Sequence, residues 1–270
     1  MKELFTRSIS GLVFGIVVVA CIFLSPWALA LLLLLVVSIG TFEMCRLHGI
    51  LGPLHLGIVE ALITGSFVFG CIVALGLLSY RWLLLETFFM FIPFLFALFS
   101  KQLRHDTIFS CCYASILFLS VPSLMMLFMY RQDMFGVMAG SWLVLLVFVL
   151  LWVNDIFAYL TGKLLGKHKL FERISPGKTI EGSIGGLLFT TIAVVAFGHY
   201  ADWLPMNAAV GMGVIAVVFG TLGDLCESML KRQAGVKDSG RLIPGHGGIL
   251  DRFDSVLFSV PFIFVYLLLL

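Results

Sequence analysis

The chain is 270 residues long, 61% hydrophobic and only 12% charged, with a mean hydropathy of +1.11. Soluble domains are about half apolar and a quarter charged, so these values exclude a soluble globular protein and make the bilayer the solvent. A formal net charge of +2 says little by itself, and no nucleic-acid partner is expected.

In lipid, only helices and closed barrels satisfy the backbone. The apolar runs are continuous rather than alternating, which selects helices over a barrel. The expected fold is therefore an all-α polytopic integral membrane protein. Nine stretches are long enough, or nearly so, to span: 9–24, 27–44, 57–78, 83–99, 109–130, 137–160, 180–200, 210–230 and 255–270. A span needs roughly 17–25 residues, so the first and last are marginal. The run 210–230 turns polar near Asp224, so its end is expected to leave the lipid. Lys2, Arg7 and Ala28-Leu29-Ala30 have the look of a cleavable leader, but another apolar run continues from Leu31, and the segment is expected to be retained.

Alternating the sides of these nine spans places 15 of the 17 basic residues on one face and only Arg81 and Arg131 on the other. Cytoplasmic loops carry the excess of lysine and arginine. The N-terminus and the polar loops 161–179 and 231–254 are thus expected in the cytoplasm, with the C-terminus outside. The chain divides in this reading into N-terminal transmembrane helices over 1–150, about six spans with the last running to about 160, and a C-terminal catalytic region over 151–270. The six cysteines mostly lie inside apolar runs without a Cys-x-x-Cys pair, the pattern of small buried apolar residues. Glu60 and Glu86 are lone intramembrane acids, expected to pair with a neighbouring helix.

Between the last two spans lies a polar island, 228–254, with five of the 17 basic residues and three of the 15 acidic ones. Asp224, Ser228 and Lys231 follow at i, i+4 and i+7, one face of a helix, and Glu227 flanks them. Acids near an intramembrane helix end are functional candidates by default; salt-bridged or snorkelling carboxylates are the plainer alternative. Gly245, Gly247 and Gly248 permit close backbone approach. Asp251 and Asp254 follow at i, i+3 around Arg252, and such a pair can hold a divalent metal. Carboxylates and water suit Mg²⁺, which takes one or two protein carboxylates plus phosphate oxygens. His246 fits a general base or a hydrogen bond to phosphate equally well.

A second polar region precedes it. Asn154-Asp155-x-x-Ala158-Tyr159-x-x-Gly162 ends one span, with Asp155 and Tyr159 on one face. Ser175-Pro-Gly-Lys178-Thr179-x-Glu181-Gly182 begins the next and reads as a helix-entry loop whose free N–H groups suit phosphate. Phosphate contact is the favoured role for Lys178, while Thr179 and Glu181 suit capping as well as chemistry. Lys178-Thr179 is not a P-loop, because Glu172 stands where the upstream glycine is required.

Ser228-x-x-Lys231-Arg232-x4-Lys237-Asp238-x-Gly240-x3-Pro244-x-His246-Gly247-Gly248-x-x-Asp251-Arg252-x-Asp254 resembles the signature of the phosphatidate cytidylyltransferases, the CDP-diacylglycerol synthases, at every specified position. The segment 175–182 is similar to their Ser-Pro-Lys-Lys-Thr-x-Glu-Gly, except that Gly177 replaces a lysine. Residues 1–150 match only as generic spans. The resemblance implies transfer of a cytidylyl group from CTP to phosphatidic acid, with release of pyrophosphate. It implies Mg²⁺ held by Asp224 and Asp251 with Asp254 assisting. It also implies phosphate binding by Lys178, Lys231, Arg232, Lys237, Arg241 and Arg252, with orientation by Ser228 and His246, and Asp155 and Tyr159 lining the substrate site. Membrane lipid, a possible homodimer and a bacterial cytoplasmic membrane belong to the same expectation. A CTP-dependent polyprenol kinase would use similar loops but attack the γ-phosphorus. A transporter would spread its intramembrane charges along a path rather than gather them on one face.

Overall fold

A computed structural model describes residues 2–99, 105–131, 140–200, 203–243, 245 and 247–270. The helices are α1 (Lys2–Leu24), α2 (Pro26–Leu47), α3 (Pro53–Ala74), α4 (Glu86–Phe99), α5 (His105–Ser115), α6 (Val121–Met129), α7 (Gly140–Leu165), α8 (Ile180–Tyr200), α9 (Met206–Gln233) and α10 (Leu250–Leu268). A 3₁₀ stretch, Tyr80–Leu85, leads into α4, and a π-helical turn, Ile116–Ser120, joins α5 to α6. Each of the nine expected spans coincides with a helix or with joined helical segments, apart from the end of the third, where α3 stops at Ala74, and the start of the sixth, which lies outside the described residues. Among the described residues, seven helical segments are long and apolar enough to cross a membrane, beginning at Pro26, Pro53, Tyr80, Asp106, Gly140, Ile180 and Met206. The molecule is a mostly helical integral membrane protein.

Local chemistry sets the boundaries. Pro26 and Pro53 open α2 and α3, where a missing N–H costs nothing and the fixed φ suits the first turn. Ser25 accepts a hydrogen bond from Ala28 N–H at 3.1 Å, satisfying one of the donors a helix start leaves open. After α9 the chain turns at Gly235, whose φ of +70° is easy for glycine and costly for other residues.

One departure from an all-helical fold occurs in the loop 161–179. Lys169–Phe171 (β1) and Ser175–Thr179 (β2) form an antiparallel hairpin, so Ser175–Thr179 is a strand rather than an irregular helix-entry loop. Its backbone groups find a partner strand, and Lys169 Nζ donates to the Pro176 carbonyl at 2.7 Å.

The chain forms two compact units. The first comprises 1–128 and 233–253, the second 129–232 and 254–270. In the first, α2 packs on α1, α3 and α5, around fully buried Leu29, Leu33, Ile63, Phe67 and Leu119. Gly40 lies directly against Leu119 and Gly70 against Leu124; small residues let helices approach closely in lipid. The expected partner for Glu86 is present: Ser66 Oγ donates to its carboxylate at 2.6 Å. Cys45 and Cys111 touch through their sulfurs at 3.5 Å as free thiols.

In the second unit α7 and α8 pack side by side. Gly182, Gly185 and Gly186 of α8 sit against Ala158, Thr161 and Asn154 of α7, and Phe157 stacks on Phe189 at 4.0 Å. Gly220 and Gly223 give α9 the same intimacy with α10, against Ser255, the Asp254 carbonyl and Phe258. The small residues ahead of Asp224 therefore admit another helix. That approach delivers Asp254 to Asp224.

Candidate active site

In the second unit, Asp224, Glu227 and Asp254 offer carboxylate oxygens that all lie within 4.8 Å of one another. Asp224 and Glu227 are neighbours on α9, three residues apart on one face, and Asp254 comes from the second turn of α10. Glu227 and Asp254 are buried, at 1% and 8% exposure. Lys178 forms an ion pair with Asp224, and Lys231 forms one with Glu227 across one helical turn. Ser228 Oγ donates to Asp224 Oδ1 at 3.3 Å, and Ser255 N–H donates to Asp254 Oδ1 at 2.7 Å. Carboxylates this close destabilise one another's charged forms unless a proton or cation intervenes. Two lysines answer part of that repulsion.

The spacing expected for Asp224, Ser228 and Lys231 is present, and Lys178 joins them. Glu227 was treated as a flanking residue in the sequence and stands here inside the cluster. The signal was available: α9 turns once between Asp224 and Ser228, and Glu227 lies on the same side. Asp155 is exposed, with Asn154 Nδ2 donating to its Oδ1 at 3.4 Å. Tyr159 is exposed, with Lys163 over its ring at 5.9 Å.

Of the two capping candidates, Thr179 caps and Glu181 does not. Thr179 Oγ1 accepts from Gly182 N–H at 3.1 Å, closing the first turn of α8. Glu181 reaches back to the segment before the hairpin, accepting from Lys167 N–H at 3.1 Å and bonding His168 Nδ1 at 2.6 Å.

In the first unit the loop 233–249 wraps a different pair of acids. Asp251 Oδ2 accepts from Ser239 N–H at 2.9 Å, Ser239 Oγ at 2.9 Å and Gly248 N–H at 2.7 Å. Gly247, with φ of +85°, makes the turn that returns the chain to Asp251, and Ile243 and Gly247 form a short bridge. Glu43 of α2 accepts from Ser239 Oγ, Ile249 N–H and Leu250 N–H at 2.9, 3.1 and 2.9 Å. Sequence reading did not single out Glu43. It sits at the end of an apolar run, next to Arg46, where it looks like an ordinary interfacial charge. Lys237, Arg241 and Arg252 of this unit are exposed, as is Arg232 of the other. Pro244 and His246 lie outside the described residues.

The second unit thus gathers three carboxylates and two lysines within an integral membrane protein. The chain belongs to the cytidylyltransferase family, whose sequence profile matches residues 5–270. It is 50% identical over 131 residues to the phosphatidate cytidylyltransferase of Staphylococcus aureus (strain COL), covering 48% of this chain and 50% of that protein. It is 42% identical over 178 residues to the phosphatidate cytidylyltransferase of Staphylococcus haemolyticus, covering 64% of this chain and 66% of that protein. A third relative of the same name, from Staphylococcus saprophyticus, is 40% identical over 174 residues. The chain thus spans from half to just under two thirds of the length of the curated relatives it matches.

Proposed function

We propose that this chain is a phosphatidate cytidylyltransferase, forming CDP-diacylglycerol and pyrophosphate from CTP and phosphatidic acid. The observation that carries the reading is the cluster of Asp224, Glu227 and Asp254 with Lys178 and Lys231, in a chain of this family. A phosphate oxygen of phosphatidic acid attacks the α-phosphorus of CTP. The bond from that phosphorus to the bridging oxygen of the pyrophosphoryl group breaks, and pyrophosphate leaves with the electron pair. The nucleophile is already an oxyanion, so the work is to bring two polyanions together and neutralise developing charge.

The donor set fits Mg²⁺: three clustered carboxylates supply hard oxygen ligands, and phosphate oxygens complete such a shell. Asp224, Glu227 and Asp254 would hold the ion, which supplies positive charge to the triphosphate. Lys178 and Lys231, which pair with Asp224 and Glu227, would be the nearest ammonium groups for the phosphate oxygens of the substrates. Lys237, Arg241 and Arg252, with Arg232, supply further exposed cations for the two substrates, and Ser228 orients Asp224. Asp251 is proposed chiefly to fix the loop, because its Oδ2 accepts from the Ser239 and Gly248 N–H groups, and its other oxygen is the further candidate ligand expected from the sequence. The cytoplasmic placement of both polar loops belongs to this proposal and rests on the asymmetry of basic residues.

The decisive experiment incubates purified protein with phosphatidic acid and CTP labelled at the α- or γ-phosphorus. The expected result is α-label in the lipid phase and γ-label in pyrophosphate. γ-Label in lipid with release of CDP would instead establish a lipid kinase, and no Mg²⁺-dependent lipid labelling would remove the enzymatic reading.

A further inference from the structure

Glu43 stands at the cytoplasm-assigned end of α2, 3% exposed, and both of its carboxylate oxygens are spent on one loop. Oε1 takes Ile249 N–H; Oε2 takes Leu250 N–H and the Ser239 hydroxyl. Ile249 and Leu250 are at the start of α10, where the first N–H groups of a helix have no intrahelical acceptor. A carboxylate there satisfies two of them and meets the positive end of the helix dipole. The partners lie 196 to 207 residues away in sequence.

The loop backbone is shaped to this side chain. A Cβ on Gly240 would run into the Glu43 carboxylate, and one on Gly248 into that carboxylate and the Ser239 hydroxyl, so a side chain at either position has to displace Glu43. Ser239 is held from two sides, by Glu43 and by Asp251. The loop is consequently fastened at 239–240 and again at 248–250. The exposed cations Lys237, Arg241 and Arg252 each lie two residues from one of those fastened points. A long, flexible cation is aimed only as well as its backbone is fixed.

We infer that Glu43 is a positioning residue for cytidylyl transfer: it clamps the loop so that Lys237, Arg241 and Arg252 are pre-aligned for substrate phosphates. The word substrate rests on the function proposed above; the clamp itself does not. Misplacement of binding groups by about 1 Å can cost on the order of 100-fold in rate, and the loss falls on kcat when ground-state binding is spared.

The test uses the full chain in detergent or nanodiscs, with E43Q as the main variant. Glutamine keeps the volume but offers one acceptor oxygen where two are used. Its amide hydrogens would face the loop's N–H groups. Amide hydrogen exchange over 239–250 is expected to rise about tenfold or more, the loss of one charged hydrogen bond. The kcat is expected to fall about 10- to 100-fold, with KM for CTP little changed. E60Q, which alters another acid of the same unit outside the loop, is the control and leaves exchange over 239–250 as it was. Should E43Q not fold, G248A presses on the same carboxylate from the loop side and carries the same expectation. Unchanged exchange in E43Q and G248A overturns the clamp. Raised exchange with unchanged kcat overturns the positioning role. If the unmodified chain transfers no cytidylyl group, the function proposed above fails and takes the catalytic half with it. The exchange contrast between E43Q and E60Q still decides whether Glu43 holds the loop.

Discussion

Two groups of acids, one in each unit, are solved in opposite ways. In the second unit Asp224, Glu227 and Asp254 face one another, and the repulsion is met by Lys178 and Lys231. In the first unit Glu43 and Asp251 face hydrogen-bond donors: each accepts from two backbone N–H groups of the loop 239–250, and the Ser239 hydroxyl lies 2.9 Å from both. A carboxylate surrounded by N–H and O–H donors is satisfied and rigid. Carboxylates crowded against carboxylates are poised for a further cation. Clustered acids in a membrane protein are therefore not one category; they differ in what surrounds each oxygen.

The largest effect that tests this contrast is on metal dependence. Asp224→Asn or Asp254→Asn is expected to lower kcat by about 100-fold or more, the scale seen when one preorganised charge-stabilising group is lost. The Mg²⁺ needed for half-maximal rate should rise. Thermal stability should hold or improve without Mg²⁺, because a repelling charge has gone. Asp251→Asn should behave the other way: stability falls by about 1–3 kcal/mol as loop donors lose their acceptor, and the Mg²⁺ midpoint stays where it was. Titrating Mg²⁺ against rate and against melting temperature for the three variants reads both. An Asp251→Asn chain whose Mg²⁺ midpoint moved as far as that of Asp224→Asn would erase the distinction between the two units.

That distinction was only half legible in the sequence. The spans were legible because continuous hydropathy needs no partner to be recognised. Asp224, Ser228 and Lys231 were legible because helical spacing is local. Asp251 and Asp254 looked alike, a pair at i, i+3, since the property that separates them is what surrounds each side chain in its own unit. Ser175–Thr179 passed for a loop because a short strand is defined by its partner, here Lys169–Phe171. Glu43 was invisible for the same reason at longer range. Its partners are mostly backbone N–H groups some 200 residues on, and backbone donors leave no trace in residue identity.

Next in size are the cations. Lys178→Gln should lower kcat/KM about 10- to 150-fold, the worth of a charged hydrogen bond of roughly 1.5–3 kcal/mol. Arg252→Lys should stay impaired, because an ammonium does not reproduce the two-pronged geometry of a guanidinium. Arg173, exposed in the hairpin turn, is the control, and Arg173→Gln should be close to normal. If Lys178, Arg252 and Arg173 variants all matched the unmodified chain in micelles, the basic residues would be topological anchors, and the contrast between a chemical and a structural unit would lose its chemical half.

The smallest effect is the most local. Thr179 is buried, its Oγ1 closes the first turn of α8 through Gly182 N–H at 3.1 Å, and it immediately follows the lysine that pairs with Asp224. Thr179→Ala should cost about 1 kcal/mol of stability, the usual worth of such a cap, while Thr179→Ser keeps the acceptor and should recover most of it. The helix itself should persist, since α8 remains packed on α7 through Phe157 and Phe189. What should loosen is the aim of Lys178, so kcat/KM should fall by less than about tenfold, the factor corresponding to 1.4 kcal/mol. Amide exchange over 239–250 should not change, because the perturbation belongs to the unit with the crowded carboxylates. Should Thr179→Ala raise exchange in that loop as much as E43Q does, the clamp and the carboxylate cluster would respond as one body, and their division into a holding site and a reacting site would have to be abandoned.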